Sequence, residues 1–245
     1  MRSWKEDAFD TPKPVRLMNR VLEIGTKAGE GDIVLDFFAG SGTMAQGVLE
    51  SNQKDGGNRQ FILVQLPEPT GNKQFATIAE IAKERIRRVA RQLKEKAGKE
   101  LDLAGKNGNQ DLGFKVFKLT GPNIQQWKAD TERDADAYAQ ELELFNDPLV
   151  AGWKPENVIW EVALREGFGL NTQFTARGLA NGNNICDVFD PDTNQKFIIC
   201  LDDQIRTDFS RHCELRPDTL FICRDIALDD SAAANLALQC RLKTI

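Results

Sequence analysis

The short stretch that constrains the fold most lies at residues 34–49 and reads VLDFFAGSGTMAQGVL. A nearly all-apolar run, 32–39, precedes Gly-Ser-Gly, and a helix-forming run follows at 40–52. Such an apolar run is typical of a strand that is buried on both faces of a parallel sheet. Glycine adopts backbone angles that other residues resist and lets a ligand approach closely. The pattern predicts a strand, a tight turn and a helix whose free N–H groups point at a ligand.

The hydrophobic periodicity around this stretch predicts a βαβ unit with further helices. In chain order we expect a helix at 13–29 with Val15, Met18, Val21 and Leu22 on its apolar face, a strand at 32–39, a helix at 40–52, a strand at 60–66, an amphipathic helix at 72–97 and a strand at 111–119. The buried stripe of the 72–97 helix is predicted to contain Phe75, Ile78, Ala82, Ile86, Val89 and Leu93. The sequence therefore predicts an α/β fold in this half.

The composition of the sequence changes after residue 119, where a polar and acidic stretch begins. Pro155 suits the first turn of a helix, and a smaller α/β pattern follows. We expect strands at 184–189, 196–203 and 219–226, and then a helix at 229–242 that an Asp or Ser caps. The predicted domains are a cofactor-binding half at 1–122, an acidic connector at 123–153 and a C-terminal α/β domain at 154–245.

Composition places the chain among globular proteins of the cytoplasm, as an expectation. Apolar runs stay far below the ~18 residues of a membrane span, so no membrane association is predicted. The start, MRSWKEDAFDTPKP, lacks the apolar core of a signal peptide. The five cysteines form no Cys-x-x-Cys pair, so we expect buried free thiols rather than a zinc site. His212, the single histidine, is expected at the surface.

The net charge of −5 hides an uneven distribution. Nine Lys or Arg and three Glu lie between Lys73 and Lys99, and seven acids and one Arg lie between Asp130 and Asp147. The basic helix has two interpretations, a solvated face over the sheet or a surface that contacts phosphates. The solvated face, with Arg85 as one of its members, is the interpretation we favour.

The glycine turn alone does not determine which nucleotide cofactor the chain binds. Gly40-x-Gly42-x-x-Ala45 also fits the dinucleotide fingerprint, so an NAD-binding oxidoreductase is one hypothesis. Three features argue against NAD: Ser and Thr stand inside the turn, Asp36 precedes it, and Gln65 ends the second strand where an acid is expected.

An ordered set of five segments carries a family resemblance. FDTPKPVRL (9–17), DFFAGSGT (36–43), RQFILVQLPEP (59–69), IAKERIRRV (81–89) and DLGFKVFKL (111–119) resemble the modification subunits of type III restriction–modification systems. These subunits are similar to the β-class of DNA methyltransferases that make N6-methyladenine. The resemblance implies a partial Rossmann-like methyltransferase sheet, the cofactor S-adenosyl-L-methionine, and contact with DNA through the complete subunit. It also implies a modification-subunit dimer and a restriction subunit as partners.

The resemblance implies cofactor contacts but no catalytic residue. The residues are Thr11, Lys13, Pro14, Asp36, Phe37, Phe38, Ala39, Gly40, Ser41, Gly42, Thr43, Gln65 and Leu66. The first three would line the methionine end, Asp36 with the turn backbone would hold the amino-acid portion, and Gln65 or Glu68 would bind the ribose hydroxyls. Thr11 can alternatively cap the helix that follows it.

The Asp/Asn-Pro-Pro-aromatic motif of adenine-N6 methyltransferases does not occur in these 245 residues. In this class the motif precedes the cofactor turn, so we expect the chain to be the C-terminal part of a longer subunit and inactive alone. The strand at 32–39 would then have an unpaired edge, which predicts a partner chain, a rearrangement or poor solubility. The alternative hypothesis is a non-catalytic fragment that contacts modification or restriction subunits.

Overall fold

The structure, a computed structural model, describes residues 11–98, 110–125 and 147–245. The chain divides into two compact units, Met1–Phe117 and Lys118–Ile245. Each unit mixes helices and strands, which confirms the predicted α/β class at that level. Most of the predicted acidic connector and residues 99–109 lie outside the described residues.

The N-terminal unit is built around one βαβ crossover. Its elements are α1 (Val15–Gly25), β1 (Ile33–Asp36), α2 (Thr43–Asp55), β2 (Gln60–Leu63) and α3 (Ile78–Ala97). Strands β1 and β2 are parallel, with Val34 opposite Phe61, so the predicted βαβ unit is confirmed. The strand predicted at 111–119 is wrong, because that segment pairs with no strand among the described residues. Its side chains Leu112 and Phe114 pack instead against the core formed by α2 and α3.

Helix α3 begins at Ile78, six residues after the predicted start. Polar side chains hold the preceding residues in turns: Thr70 accepts the Asn72 N–H at 3.1 Å, and Asn72 accepts the Gln74 N–H at 2.8 Å. Such local side-chain bonds compete with helical hydrogen bonding. Thr77 then caps the helix, because its hydroxyl accepts the Glu80 N–H. Buried side chains of α3 are Ile81, Ala82, Arg85, Ile86, Val89 and Leu93.

The two-stranded sheet is covered on one face. Phe61 and Leu63 pack against α2 and α3, whereas Ile33, Leu35 and Ile62 point to the other face and are exposed. The prediction that both faces are buried is therefore wrong for this structure. Burial of both faces needs a layer on each side, and within the described residues only α2 and α3 supply one. In the same part of the chain β1 pairs with β2 alone, so its other edge is unpaired.

Helix α1 packs against α2 through Met18 and Leu22, as the apolar pattern predicts, although Val21 is exposed. The approach is close at Gly47, where a Cβ atom would lie 3.3 Å from both Met18 and Leu22. The end of α2 is tied down by the buried Arg59, which bonds to Asp55 and to the Thr26 hydroxyl. The Arg59 hydrogen bond holds the pKa of the Asp55 carboxyl below its ordinary value.

The C-terminal unit contains a mixed five-stranded sheet. Its elements are α4 (Pro155–Arg165), β3 (Gln173–Gly178), β4 (Asn184–Asp190), β5 (Gln195–Cys200), α5 (Phe209–Cys213), β6 (Leu220–Cys223), α6 (Asp230–Ala237) and β7 (Arg241–Thr244). The strand order is β3-β4-β5-β6-β7, antiparallel from β3 to β5 and parallel from β5 to β7. The sequence patterns do not predict β3 and β7. The helix predicted over 229–242 ends at Ala237, although Asp229 caps it as expected by accepting the Ala232 N–H at 2.7 Å.

All five cysteines are free and buried, which confirms the prediction for them. Burial raises the pKa of the Cys200 and Cys223 thiols to about 12 and that of Cys213 to about 11. His212 is exposed, as predicted. Within the described residues, no helix has the length and apolar character that a membrane crossing requires.

Helix α3 lies close against the glycine turn that precedes α2. Gly42 has φ +76°, and a Cβ atom there would lie 3.3 Å from the backbone of Ala82. The contact is tight enough that a side chain would force one of the two helices to shift. Two constraints therefore favour glycine at position 42: the positive backbone angle and the close contact with Ala82 of α3.

The substitution Gly42→Ala is expected to destabilise the fold more than Gly56→Ala does. Both glycines have a positive φ, but a Cβ atom at Gly56 meets nothing within 4 Å. The backbone angle costs about 1–2 kcal/mol in each variant, and the contact with Ala82 adds about 1–3 kcal/mol at Gly42 alone. Urea denaturation of both variants measures the difference. Equal losses of unfolding free energy would show that the contact with Ala82 has no energetic weight.

Candidate functional site

The turn between β1 and α2 is held by hydrogen bonds to the Asp36 side chain and to the chain that follows β2. Asp36 ends β1, and its carboxylate accepts the Phe38 N–H at 3.1 Å. The Ala39 N–H donates to the Val64 carbonyl at 3.2 Å, which ties the turn to the chain that continues β2. Gly40 and Gly42 both have positive φ values, +52° and +76°. The two glycines that the sequence places here are thus the residues that let the backbone reverse.

Gln65 lies against this turn. Its side-chain oxygen accepts the Gly40 N–H at 2.8 Å, and its amide nitrogen donates to the Leu66 carbonyl at 3.2 Å. The same nitrogen is 3.5 Å from the Glu68 carboxylate. The two residues predicted for the ribose hydroxyls are therefore neighbours. A ligand that takes a hydrogen bond from the Gly40 N–H has to displace Gln65 from it.

Ser41 and Thr43 are buried, and Ser41 contacts helix α3. The Arg85 guanidinium donates to the Ser41 hydroxyl at 3.0 Å and to the Gln46 side chain at 3.2 Å. The Ser41 and Thr43 hydroxyls are 3.4 Å apart. In this structure the Ser41 hydroxyl holds the turn to α3, and neither hydroxyl lies on an open surface.

Arg85 corrects the interpretation of the basic helix. The charge pattern predicts it on the solvated face, yet it is 7% exposed and reaches into the turn. Its burial lowers the pKa of the guanidinium from the ordinary value. Sequence reasoning misses this residue, although a signal is present: Arg85 stands four residues from both Ile81 and Val89, which places it on their buried stripe.

Apolar side chains surround the open side of the turn. Phe37, Phe38 and Leu66 are 63%, 85% and 66% exposed, and they follow the carboxyl ends of β1 and β2. Ala39 is buried, and Asp36 is half-buried. Ligands of open parallel α/β sheets bind outside the carboxyl ends of the strands. The structure therefore places a carboxylate, an amide side chain and exposed rings at that end of the sheet.

The segment before α1 is exposed at Thr11, Lys13 and Pro14. The capping role considered for Thr11 is wrong, because α1 begins at Val15 with Pro14 in the cap position and no side-chain cap bond. The Leu17 N–H bonds the Pro14 carbonyl at 3.0 Å instead. In the described ranges, no group of three or more His, Cys, Asp or Glu side chains is placed to hold a metal ion.

Comparison with known proteins finds one family match in the N-terminal unit. Residues 2–92 match the family N6_N4_Mtase, described as DNA methylase. The matched segment contains the whole glycine turn and most of α3.

Individual relatives narrow the resemblance to modification subunits of type III restriction–modification enzymes. The chain is 37% identical over 126 residues to the StyLTI Mod subunit of Salmonella typhimurium, which is 49% of this chain and 18% of that protein. It is 40% identical over 132 residues to the EcoPI Mod subunit of Escherichia phage P1, which is 51% of this chain and 18% of that protein. The predicted resemblance is confirmed for the matched part. The chain spans less than a fifth of the length of these curated relatives.

Removal of the Ser41 hydroxyl is expected to weaken the tie between the turn and α3. The Ser41→Ala variant deprives the buried Arg85 guanidinium of one acceptor, which costs about 1–3 kcal/mol of unfolding free energy. Ser51→Ala, on α2 and further along the chain, is the matched control and is expected to change stability by only about 0.5 kcal/mol. Chemical denaturation of the two variants measures both values. A loss for Ser41→Ala no larger than the control would contradict the role assigned to this bond.

Proposed function

We propose that the turn at 36–43 binds S-adenosyl-L-methionine and that the chain is part of a DNA adenine-N6 methyltransferase of a type III restriction–modification system. One observation carries the proposal: Asp36, Gln65 and a left-handed glycine turn meet at the carboxyl end of β1 and β2, in a segment that matches the DNA methylase family. The Mod relatives support the type III assignment.

The residues at the turn suit the parts of this cofactor. S-adenosylmethionine carries positive charge, and the half-buried carboxylate of Asp36 attracts a cation a few ångströms away. The side-chain amide of Gln65 offers both a donor and an acceptor to ribose hydroxyls. The exposed rings of Phe37 and Phe38, with Leu66, supply the apolar surface that an adenine ring needs. Thr11, Lys13 and Pro14 would line the methionine end.

The cofactor supplies a methyl group activated by its sulfonium, and the chain supplies its binding surface. Gln65 bonds the Gly40 N–H in the present arrangement, so it has two states in this proposal. In one state its oxygen closes the turn. In the other it turns to the ribose hydroxyls and leaves the Gly40 N–H to the ligand. Because one hydrogen bond is exchanged for another, this rearrangement costs little free energy.

Methyl transfer requires residues that this sequence does not carry. An Asp/Asn-Pro-Pro-aromatic motif would accept hydrogen bonds from the adenine amino group and stack on the flipped base, and the 245 residues contain no such motif. We therefore expect the chain to hold the methyl donor without methylating DNA alone. DNA, a second modification subunit and a restriction subunit are the partners proposed for the complete protein.

Calorimetry with S-adenosylhomocysteine and with NADH tests the cofactor assignment. The chain is expected to bind the first and not the second. Asp36→Asn keeps an acceptor for the Phe38 N–H but removes the charge that would face the α-ammonium group, which S-adenosylhomocysteine shares with S-adenosylmethionine. It is expected to weaken S-adenosylhomocysteine binding by about tenfold, or 1.4 kcal/mol. Asp32→Asn is the control. Asp32 lies just before the first residue of β1, at the opposite end from the turn, and its carboxylate accepts the Lys27 N–H at 2.9 Å.

The outcome decides between the two nucleotide ligands. Binding of NADH without S-adenosylhomocysteine would overturn the proposal in favour of an oxidoreductase. If the Asp32 and Asp36 substitutions weaken binding equally, the turn is not the binding site. Methylation of DNA by the isolated chain would contradict the proposal that it holds the methyl donor without using it.

A further inference from the structure

A shallow groove runs along the outer face of α3. It has a volume of about 420 Å³ and lies between Arg87, Ala90, Arg91 and Lys94 on the helix and residues 112–114 on the other side. Leu112 and Phe114 pack against the core below it. The segment for which the sequence predicts a strand thus forms one wall of a groove whose other wall is basic.

Three cations of α3 share this groove. Arg87, Arg91 and Lys94 are all exposed, and their spacing of four and three residues places them on one helix face. They extend over about 10 Å along the helix axis. A strand of duplex DNA carries one phosphate per about 3.4 Å of axis. The row of charges is therefore as long as about three consecutive phosphates.

Three other basic residues of this helix have partners within the N-terminal unit. Arg85 is buried against Ser41, and Lys83 and Arg88 pair with Glu80 and Glu84. Across the described residues, no ion pair joins a carboxylate to Arg87, Arg91 or Lys94. The structure thus divides the basic helix into charges that stabilise the fold and charges that are available to a partner.

An aromatic ring positions one of the three available charges. The Arg87 guanidinium lies 6.0 Å from the centroid of the Phe114 ring, within the range of a cation–π contact. Such a contact restrains the guanidinium while its N–H groups stay free to donate. The groove therefore presents a partly pre-positioned Arg87 beside a flexible Lys94.

We propose that this groove contacts the phosphate backbone of duplex DNA. The choice of DNA among polyanions rests on the proposed function, in which DNA is the substrate. The groove offers Arg and Lys side chains, which bind phosphates without reading sequence, so its contribution is affinity and position rather than specificity. The net charge of −5 does not oppose this role, because a local basic patch determines such binding.

Fluorescence anisotropy with a short labelled duplex, in salt from about 50 to 200 mM, tests the proposal. The wild-type chain is expected to bind with an affinity that falls with salt. The triple variant R87Q/R91Q/K94Q is expected to lower the log–log salt slope by about 2–3 and to weaken binding by about tenfold or more at the lowest salt. The double variant R87K/R91K keeps the charges and is expected to keep the slope.

A second triple variant controls for net charge. K196Q/R216Q/R241Q removes three exposed charges from the C-terminal unit and is expected to retain the wild-type slope. An equal loss in both triple variants would overturn the proposal, because total charge would then explain the binding. An unchanged slope in R87Q/R91Q/K94Q would also overturn it. Absence of duplex binding by the wild type would do the same and would leave an acidic protein partner as the occupant of the groove.

Cofactor binding separates this inference from the proposed function. R87Q/R91Q/K94Q is expected to unfold at the wild-type midpoint and to bind S-adenosylhomocysteine as the wild type does. A wild-type chain that binds S-adenosylhomocysteine but not the duplex would overturn the groove inference alone. A wild-type chain that binds the duplex through the groove but not the cofactor would instead overturn the proposed function.

Discussion

The contact between the glycine turn and helix α3 is the constraint on which the rest of the N-terminal unit depends. Gly42 stands at a backbone angle that a side chain resists, and a Cβ atom there would lie 3.3 Å from the Ala82 backbone. Because the helix is this close, the Arg85 side chain reaches Ser41 and Gln46. The turn is thus fixed from behind by packing and by hydrogen bonds to a buried cation. Its front, with Asp36, Phe37 and Phe38, stays open at the end of β1.

This arrangement gives α3 two roles on opposite faces. The inner face supplies the apolar stripe and Arg85, which together stabilise the turn. The outer face carries Arg87, Arg91 and Lys94 beside the groove. The helix that packs behind the glycine turn therefore also carries the charges proposed for the DNA backbone. In the two proposals, one face of α3 supports the turn that binds the methyl donor, and the opposite face contacts the nucleic acid.

Much of the N-terminal unit could be predicted because its determinants are local. The βαβ order, the buried side of α1 and the stripe of α3 follow from hydrophobic periodicity, and the two glycines follow from the turn. The start of α3 could not be predicted in this way, because the side chains of Thr70 and Asn72 compete for the backbone. The burial of Arg85 could not be predicted for a different reason. A charged residue is assigned to the solvent-exposed surface unless its partner across the fold, here Ser41, is known.

The open sheet face and the last strand depend on contacts far apart in sequence. The run at 32–39 is apolar enough for a strand covered on both sides, yet the described residues cover one side only. Strand β7, Arg241–Thr244, begins soon after α6 ends, and the sequence pattern assigns its first two residues to that helix. Only the pairing with β6 identifies these residues as a strand. Of the candidate site, the sequence predicts the turn residues but not the bond by which Gln65 closes it.

Binding of the methyl donor at the front of this turn is tested most directly by nuclear magnetic resonance. The isotope-labelled chain is titrated with S-adenosylhomocysteine while its amide resonances are followed. We expect shifts of the Phe38, Ala39 and Gly40 amides and of the Gln65 side-chain amide. The amides of Asn52 and Arg59, which bond each other at the far end of α2, should not shift. Unchanged resonances of the turn at saturating ligand, or shifts confined to the C-terminal unit, would contradict binding at this site.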